Sequence, residues 1–275
     1  MIKEIVNKSE IFYNNKWENS NLCEYHNFIL DLLKDFLIQT NQNFSVNFGC
    51  DEKKDINLYF QYEHTIVKEK NNLICKIHNY EYLNQLDYVF EYSNCNVSHI
   101  KKSDVDETYK KKLIYVPPLL YKNDIEKKVR SKNIITIHNS SPRRNLKHQE
   151  ISMDYFHNVA GYNIFSKEKI KEVLDEYKIL VNIHQIDHHI TLEELRVLPA
   201  LLTGILVVSE NVPYKEEVPY NNHIVWFDYD NMKEVIEDVI SNYDFYRIKY
   251  LTGLSDTIDR MEKNLRENIN KIFNL

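Results

Sequence analysis

The sequence predicts an α/β protein of two Rossmann-like lobes facing a cleft, with closing helices at the C-terminus. Three observations predict it. Short apolar segments of strand length alternate with segments of helical period. The alternation runs twice, on either side of a charged stretch almost without large apolar residues. The chain has 275 residues, 43% hydrophobic and 28% charged, enough for two domains with real cores. The reading divides the chain into lobes at 1–122 and 133–275, joined by a link at 123–132.

In the first lobe, residues 22–40 place Phe28, Leu32, Leu33, Phe36 and Leu37 at helical spacing, which predicts an amphipathic helix. Strand-length apolar runs follow at 44–49, 56–62, 73–79, 87–93 and 112–120, separated by helical or loop segments such as 81–86 and 93–102. Short strands alternating with helices imply a parallel sheet covered on both faces. Residues 1–40 supply no clear first strand–helix unit.

In the second lobe, NIITIHN at 133–139 reads as a strand, with a helix over 145–156. YNIFS at 162–166 reads as strand or loop, and 167–177 as a helix with Ile170, Val173 and Leu174 on one face. KILVNIHQ at 178–185 is a strand. The segment 191–204 is a helix ending at Gly204, whose freedom at positive φ suits a helix stop. Strands follow at 205–210 and 223–229. NMKEVIEDVISNY is amphipathic through Met232, Val235, Ile236, Val239 and Ile240, and 245–274 reads as one or two closing helices. No internal repeat or low-complexity tract is visible.

Bulk properties narrow the function classes. The net charge of -6 offers no basic excess with which to displace counterions from a nucleic acid, so none is expected as a partner. Cys23, Cys50, Cys75 and Cys95 form no CxxC pair and read as free thiols in a reducing, cytoplasmic compartment. The first residues lack the apolar core of a signal peptide, and no uncharged run reaches the ~18 residues that a membrane span needs.

In open α/β sheets, ligands bind beyond the carboxyl ends of the strands. Three strand ends in the second lobe carry chemistry. In IHNSSPRRN (137–145), Ser140 or Ser141 can cap a helix that has Pro142 in its first turn. Such a helix start favours an anion, and Arg143 and Arg144 add planar cations suited to phosphate. A capped helix with two solvated arginines is the bland rival. VNIHQIDHHITLEELR (181–196) clusters His184, Asp187, His188, His189, Glu193, Glu194 and Arg196 at a strand tip. Thr191 and Glu194 match a capping box there. His188 and His189 are adjacent and lack a cysteine nearby, so no metal site is expected. Glu210 ends the strand ILVVS, where a carboxylate can accept hydrogen bonds from sugar or ribose hydroxyls. In the first lobe, Glu63 and His64 follow a strand and are candidates for a general base toward a hydroxyl.

Taken in order, VFEYSNCN, LIYVPPLLY, SSPRRN, ILVNIHQ, LEELR and GILVVSE resemble a GT-B glycosyltransferase group common in bacterial polysaccharide clusters and large DNA viruses. The resemblance covers roughly residues 87–230. It implies an N-terminal acceptor lobe and a C-terminal donor lobe, with no required metal and no tightly bound cofactor. The substrate it implies is a nucleotide-sugar, UDP- or GDP-linked. On that pattern Ser140, Ser141, Arg143 and Arg144 face the donor diphosphate and His184 lies near the transferred sugar. His188, Glu193, Glu194 and Arg196 belong to the donor loop, and Glu210 sits by the nucleoside.

Three departures stand against this pattern. Pro199 occupies the position of the family's ribose-holding Glu, the glycine of the first donor loop is missing, and the N-terminal lobe is short. The expected activity is sugar transfer from a nucleotide donor to a hydroxyl acceptor, with Glu63 or His64 as base. The rivals are a sugar-nucleotide epimerase on the same scaffold, a catalytically inactive binding module, and a transferase acting on nucleic acid.

Overall fold

The structure is a computed structural model that describes residues 1–13, 23–40, 42–48, 53–60, 66–68, 75–77, 84–120, 129–138, 140–151, 154–156, 173–187 and 191–273. The chain divides into two compact units, Met1–Pro117 with Glu262–Leu275, and Pro118–Met261. The second lobe expected over 133–275 therefore gives its last segment to the first unit, and the expected link at 123–132 lies inside the second. Residues 123–128 of that link are outside the described residues, as are the segment 162–166 and all but the end of the helix expected at 167–177.

The first unit opens with a hairpin that the sequence reading missed. Strands β1 (Ile2–Val6) and β2 (Ser9–Tyr13) pair antiparallel around Asn7, whose φ of 56° is a left-handed position that Asn tolerates. β1 is an edge strand with charged residues among its apolar ones, which hides its period. Helix α1 (Cys23–Gln39) buries Ile29, Leu33, Phe36 and Leu37. It connects β2 to the parallel strand β3 (Ser45–Phe48), so a βαβ unit stands where the sequence shows no clear strand–helix unit.

Beyond β3 the sheet continues through three more parallel strands. β4 (Ile56–Phe60) comes first; the others are Tyr88–Glu91 and Leu113–Tyr115, labelled β7 and β8. The order is β1-β2-β3-β4-β7-β8. The strand read at 73–79 is β6 (Cys75–Ile77), outside this sheet. It pairs antiparallel with β5 (Ile66–Lys68), a local partner that periodicity cannot reveal. Helices α2 (Asn94–Lys102) and α3 (Glu107–Lys112) flank β8, with Val89, Val97, Ile100, Tyr109 and Leu113 in one core cluster.

The second unit holds a parallel sheet of β9 (Lys132–Ile137), β10 (Asp154–Phe156), β11 (Tyr177–Asn182), β12 (Leu206–Glu210) and β13 (Ile224–Phe227). The order is β10-β9-β11-β12-β13. The helix expected over 145–156 runs instead as α4 (Pro142–Glu150), because Pro142 can open a helix, and the residues after it form β10. Helix α5 (Glu194–Leu202) starts at the N-cap Glu193 with no side-chain cap, two residues after the Thr191 N-cap that the expected capping box requires. Gly204 adopts φ 76° just past its end, as expected of a helix stop.

One face of this sheet presents Ile134, Ile179, Val181, Val208, Val225 and Phe227 to α6 (Met232–Ser241), which buries Met232, Ile236 and Val239 there. Helix α7 (Tyr243–Leu251) adds half-buried tyrosines to that cluster. Gly253, at φ 75°, ends α7, and α8 (Leu254–Phe273) follows as a second closing helix. α8 buries Leu254, Ile258, Met261, Leu265, Ile269 and Ile272 along one stripe. A helix of this length spans about 30 Å, which lets one element belong to both units. No helix among the described residues is long and apolar enough to cross a membrane.

Candidate functional site

Strand order fixes where the second unit should bind a ligand. The chain moves from β9 outward to β10, then returns past β9 to β11, so the order reverses between β9 and β11. A crevice opens at such a switch point, outside the carboxyl ends of the strands. The first unit's parallel strands advance in one direction, with no such reversal among the described residues.

β9 leads through Ser140 into α4 at this point. Ser141 is the N-cap, with extended backbone, and accepts a hydrogen bond from the Arg144 backbone N–H at 3.3 Å. Its hydroxyl donates to the Gln185 carbonyl, also at 3.3 Å, which ties the helix start to the loop after β11. With Pro142 at the first helical position, the remaining N–H groups and the positive end of α4 face the crevice edge. Ser140 is exposed, and its hydroxyl bonds Asn145 Oδ1 at 3.0 Å.

Arg143 reaches across to β12. Its two Nη atoms engage both oxygens of Glu210, one at 2.7 Å, in a bidentate pair with side chains only 12% and 8% exposed. Its Nε donates to the exposed Asp187 at 2.5 Å. Its guanidinium carbon lies 3.7 Å from the centre of the Tyr229 ring, and the Tyr229 hydroxyl donates back to the Arg143 carbonyl at 2.9 Å. Lys147 sits over the same ring at 4.3 Å. The guanidinium is thus held by a carboxylate, an aromatic face and a backbone anchor.

A second cluster lies on the opposite face of the sheet, toward α5. Register pairs Asn182 with Ser209, and the Asn182 amide donates to Ser209 Oγ at 3.1 Å and to Glu193 Oε2 at 2.8 Å. Arg196 donates to Asn182 Oδ1 at 2.6 Å. Arg144 is 3% exposed; it donates to the Ile183 carbonyl at 2.8 Å and meets Glu193 at 3.4 Å.

His184 bridges the two clusters. Its backbone N–H donates to Glu210 Oε2 at 3.0 Å, its Nδ1 faces Glu193 Oε2 at 3.0 Å, and its Nε2 faces the Asn211 carbonyl at 3.2 Å. Both ring nitrogens meet acceptors, and only the imidazolium donates at both. Burial opposes the charge, but Glu193, Glu210 and the Asn211 carbonyl outweigh it and hold the pKa above the ordinary histidine value. The two facing acceptors and the raised pKa both favour the protonated ring.

The structure brings together Ser141, Arg143, Arg144, His184, Glu193, Arg196 and Glu210 at one sheet edge. Glu194 is buried in the first turn of α5. Glu63, His64 and His188 lie outside the described residues. Sequence reasoning did not single out Asn182, Tyr229 or Lys147. Tyr229 follows the strand at 224–227, where the strand-end rule already pointed. Asn182 is a polar residue inside an apolar strand, a signal that alternation alone does not weigh.

Chemically, the edge offers a helix N-terminus, two arginines and a histidine of raised pKa beside two carboxylates. Those cations suit an anion with several oxygens, and Glu210 and Glu193 hold them in place without one. Among the described residues, no group of three or more His, Cys, Asp or Glu side chains is placed to hold a metal ion.

No family model matches the chain. It is 35% identical over 196 residues to an uncharacterized protein of Acanthamoeba polyphaga mimivirus; the match spans 68% of this chain and 65% of that protein's length. Among solved structures it is similar to TarM, with a TM-score of 0.51 at 11% identity, covering 92% of this chain and 58% of that one. It is also similar to T4 phage BGT, solved with UDP and Mn2+, with a TM-score of 0.50 at 12% identity, covering 84% and 83%. The chain shares with both the α/β architecture of two Rossmann-like units that defines the GT-B fold.

Proposed function

We propose that this protein is a glycosyltransferase that moves a sugar from a nucleotide-sugar to a hydroxyl acceptor, with the donor site at the switch point of the second unit. The observation that carries the proposal is the convergence of the α4 N-terminus, Arg143, Arg144 and His184 on one strand edge. Breaking a bond from a sugar to a diphosphate builds negative charge on the leaving group, and preorganised cations and N–H dipoles stabilise that charge. Arg143 would exchange Glu210 for a phosphate oxygen. Glu210, released, would accept hydrogen bonds from ribose or sugar hydroxyls. His184 would stabilise developing charge as a cation, and the proton from the acceptor would go to Glu63 or His64.

UDP-sugars are the first donors to try, since T4 phage BGT was solved with UDP. The protein-borne cations supply the neutralisation that a divalent ion would otherwise give, so turnover should survive EDTA. The test is a thermal-shift screen of UDP, GDP, CMP and dTDP and their sugars, with and without Mn2+ or Mg2+, followed by a product assay. A ligand at 100 times its Kd adds about 2.7 kcal/mol to stability. One nucleotide should stabilise the protein, and the Arg143→Ala/Arg144→Ala variant should lose that effect. No shift with any nucleotide, in folded protein, would refute the donor site.

The rival with an observation behind it is an inactive binding module. Pro199, where a ribose-holding Glu would stand, is buried inside α5. Nucleotide binding without turnover of any donor would favour that reading.

A further inference from the structure

A cavity of about 750 Å³ opens at the other end of the second unit's sheet, where β9 and β11 begin. That volume is the size of a small-molecule site. Arg130, Lys178 and Arg247 line it, against the single carboxylate of Asp244, and Tyr243 and Phe245 supply aromatic wall.

The three cations are poorly matched by the protein itself. Arg130 is 8% exposed, and its guanidinium donates to three main-chain carbonyls, those of Leu174, Tyr177 and Thr203. These bonds fix its position; the Asp175 carboxylate offsets part of its charge without a hydrogen bond to it. Among the described residues Lys178 bonds only the neutral Asn133 side chain, at 3.5 Å, and it lies 5.6 Å from the centre of the Tyr243 ring. Arg247 makes no hydrogen bond or ion pair with any described residue. Phe245 is 62% exposed beside them, although burying it would gain ~2 kcal/mol. Like charges left together and an aromatic ring left in water both cost free energy, and a single ligand relieves both.

We propose that this cavity is a second, non-catalytic site for a small organic phosphate carrying an aromatic ring, the phosphate held by Lys178 and Arg247 over the fixed Arg130 and the ring set against Phe245 and Tyr243. A six-residue strand separates it from the switch-point edge by about 20 Å, so its ligand touches none of the residues there. The proposal does not depend on sugar transfer.

Calorimetric titration of the full chain with AMP, ribose 5-phosphate and pyrophosphate tests it. AMP binds saturably and more tightly than ribose 5-phosphate. Arg247→Gln weakens AMP by about tenfold, the loss of one charge-assisted contact, and Lys178→Glu/Arg247→Glu, which loses two, weakens it by about a hundredfold or more; the milder variant serves should the double one misfold. Phe245→Ala weakens AMP but not pyrophosphate. Arg143→Ala/Arg144→Ala leaves AMP binding unchanged. The proposal falls if folded wild-type protein shows no saturable AMP binding, or if the Lys178 and Arg247 variants bind AMP like wild type. It falls equally if the loss appears in the Arg143/Arg144 variant, which would place AMP at the switch-point edge. Pyrophosphate binding as tight as AMP binding would overturn the aromatic half of the assignment.

Discussion

Glu193→Gln removes one charge while keeping the side chain's shape, and the structure allows its cost to be worked out. The carboxylate receives Asn182 Nδ2 at 2.8 Å, His184 Nδ1 at 3.0 Å and Arg144 Nη2 at 3.4 Å, with Arg196 at 3.8 Å. All four partners are donors. Glutamine offers one acceptor oxygen, and its NH2 must face another donor, so a buried N–H and two buried cations lose their counterpart. Breaking a buried ion pair by removing one partner costs about 3 kcal/mol or more, and for a protein of this size that lowers Tm by about 10 °C.

The change should also depend on pH in a defined direction. His184 is held above its ordinary value of 6.5 in the folded protein. Stability from its charge is therefore complete below 6.5 and lost as pH rises through the higher folded value, with a limiting slope of about 1.4 kcal/mol per pH unit. Glu193→Gln removes the largest of the groups that raise it and should flatten that slope. Thermal melts from pH 5.5 to 9, with the His184 ring followed by NMR, read both effects. A variant within about 1 kcal/mol of wild type, or a wild-type His184 that titrates below 6.5, would refute the buried-imidazolium reasoning.

Three further outcomes follow from particular contacts. Tyr229→Ala removes the ring 3.7 Å from Arg143 and the bond to its carbonyl, and should weaken nucleotide binding about fivefold; isothermal titration reads it, and unchanged affinity would remove Tyr229 from the site. His26 is buried in the first unit, and burial lowers its pKa to about 3. Its contribution is present above pH 6.5 and falls away between 6.5 and 3, as the unfolded chain takes up a proton that the folded one refuses. His26→Leu should therefore make the acid limb of stability shallower by one proton, read from urea midpoints across that range. Gly253→Ala meets no atom within 4 Å but forces alanine to φ +75°, so it should cost about 1 kcal/mol from backbone strain alone; a melt unchanged within error would show that the turn relaxes.

The alternation of apolar segments was enough to identify α1, α6 and most strands, because burial of one face imposes its period on the sequence whatever the partner is. It also marked the residues of the candidate site. Ser141, Arg143, Arg144, His184 and Glu210 fall at or just beyond a strand end, and Glu193 stands at the N-cap of the helix that follows β11; strand ends and helix starts are local properties of the chain. Local pattern failed where pairing was the deciding fact. β1 places two adjacent charged residues, Lys3 and Glu4, in a sheet-edge strand; β6 pairs antiparallel with β5; and α4 stops at Glu150 so that β10 can pair with β9.

Tertiary structure alone decided the strand order, and with it the reversal between β9 and β11. It also set the register that puts Asn182 beside Ser209 and sends Glu210 to the other face. That geometry makes Arg143 and Glu210, 67 residues apart, a bidentate pair, and gives both nitrogens of His184 an acceptor. A sequence names the ionisable groups. Their charge states depend on which opposite charges the fold places within hydrogen-bond reach, away from water, and that distance is fixed only when the sheet is assembled.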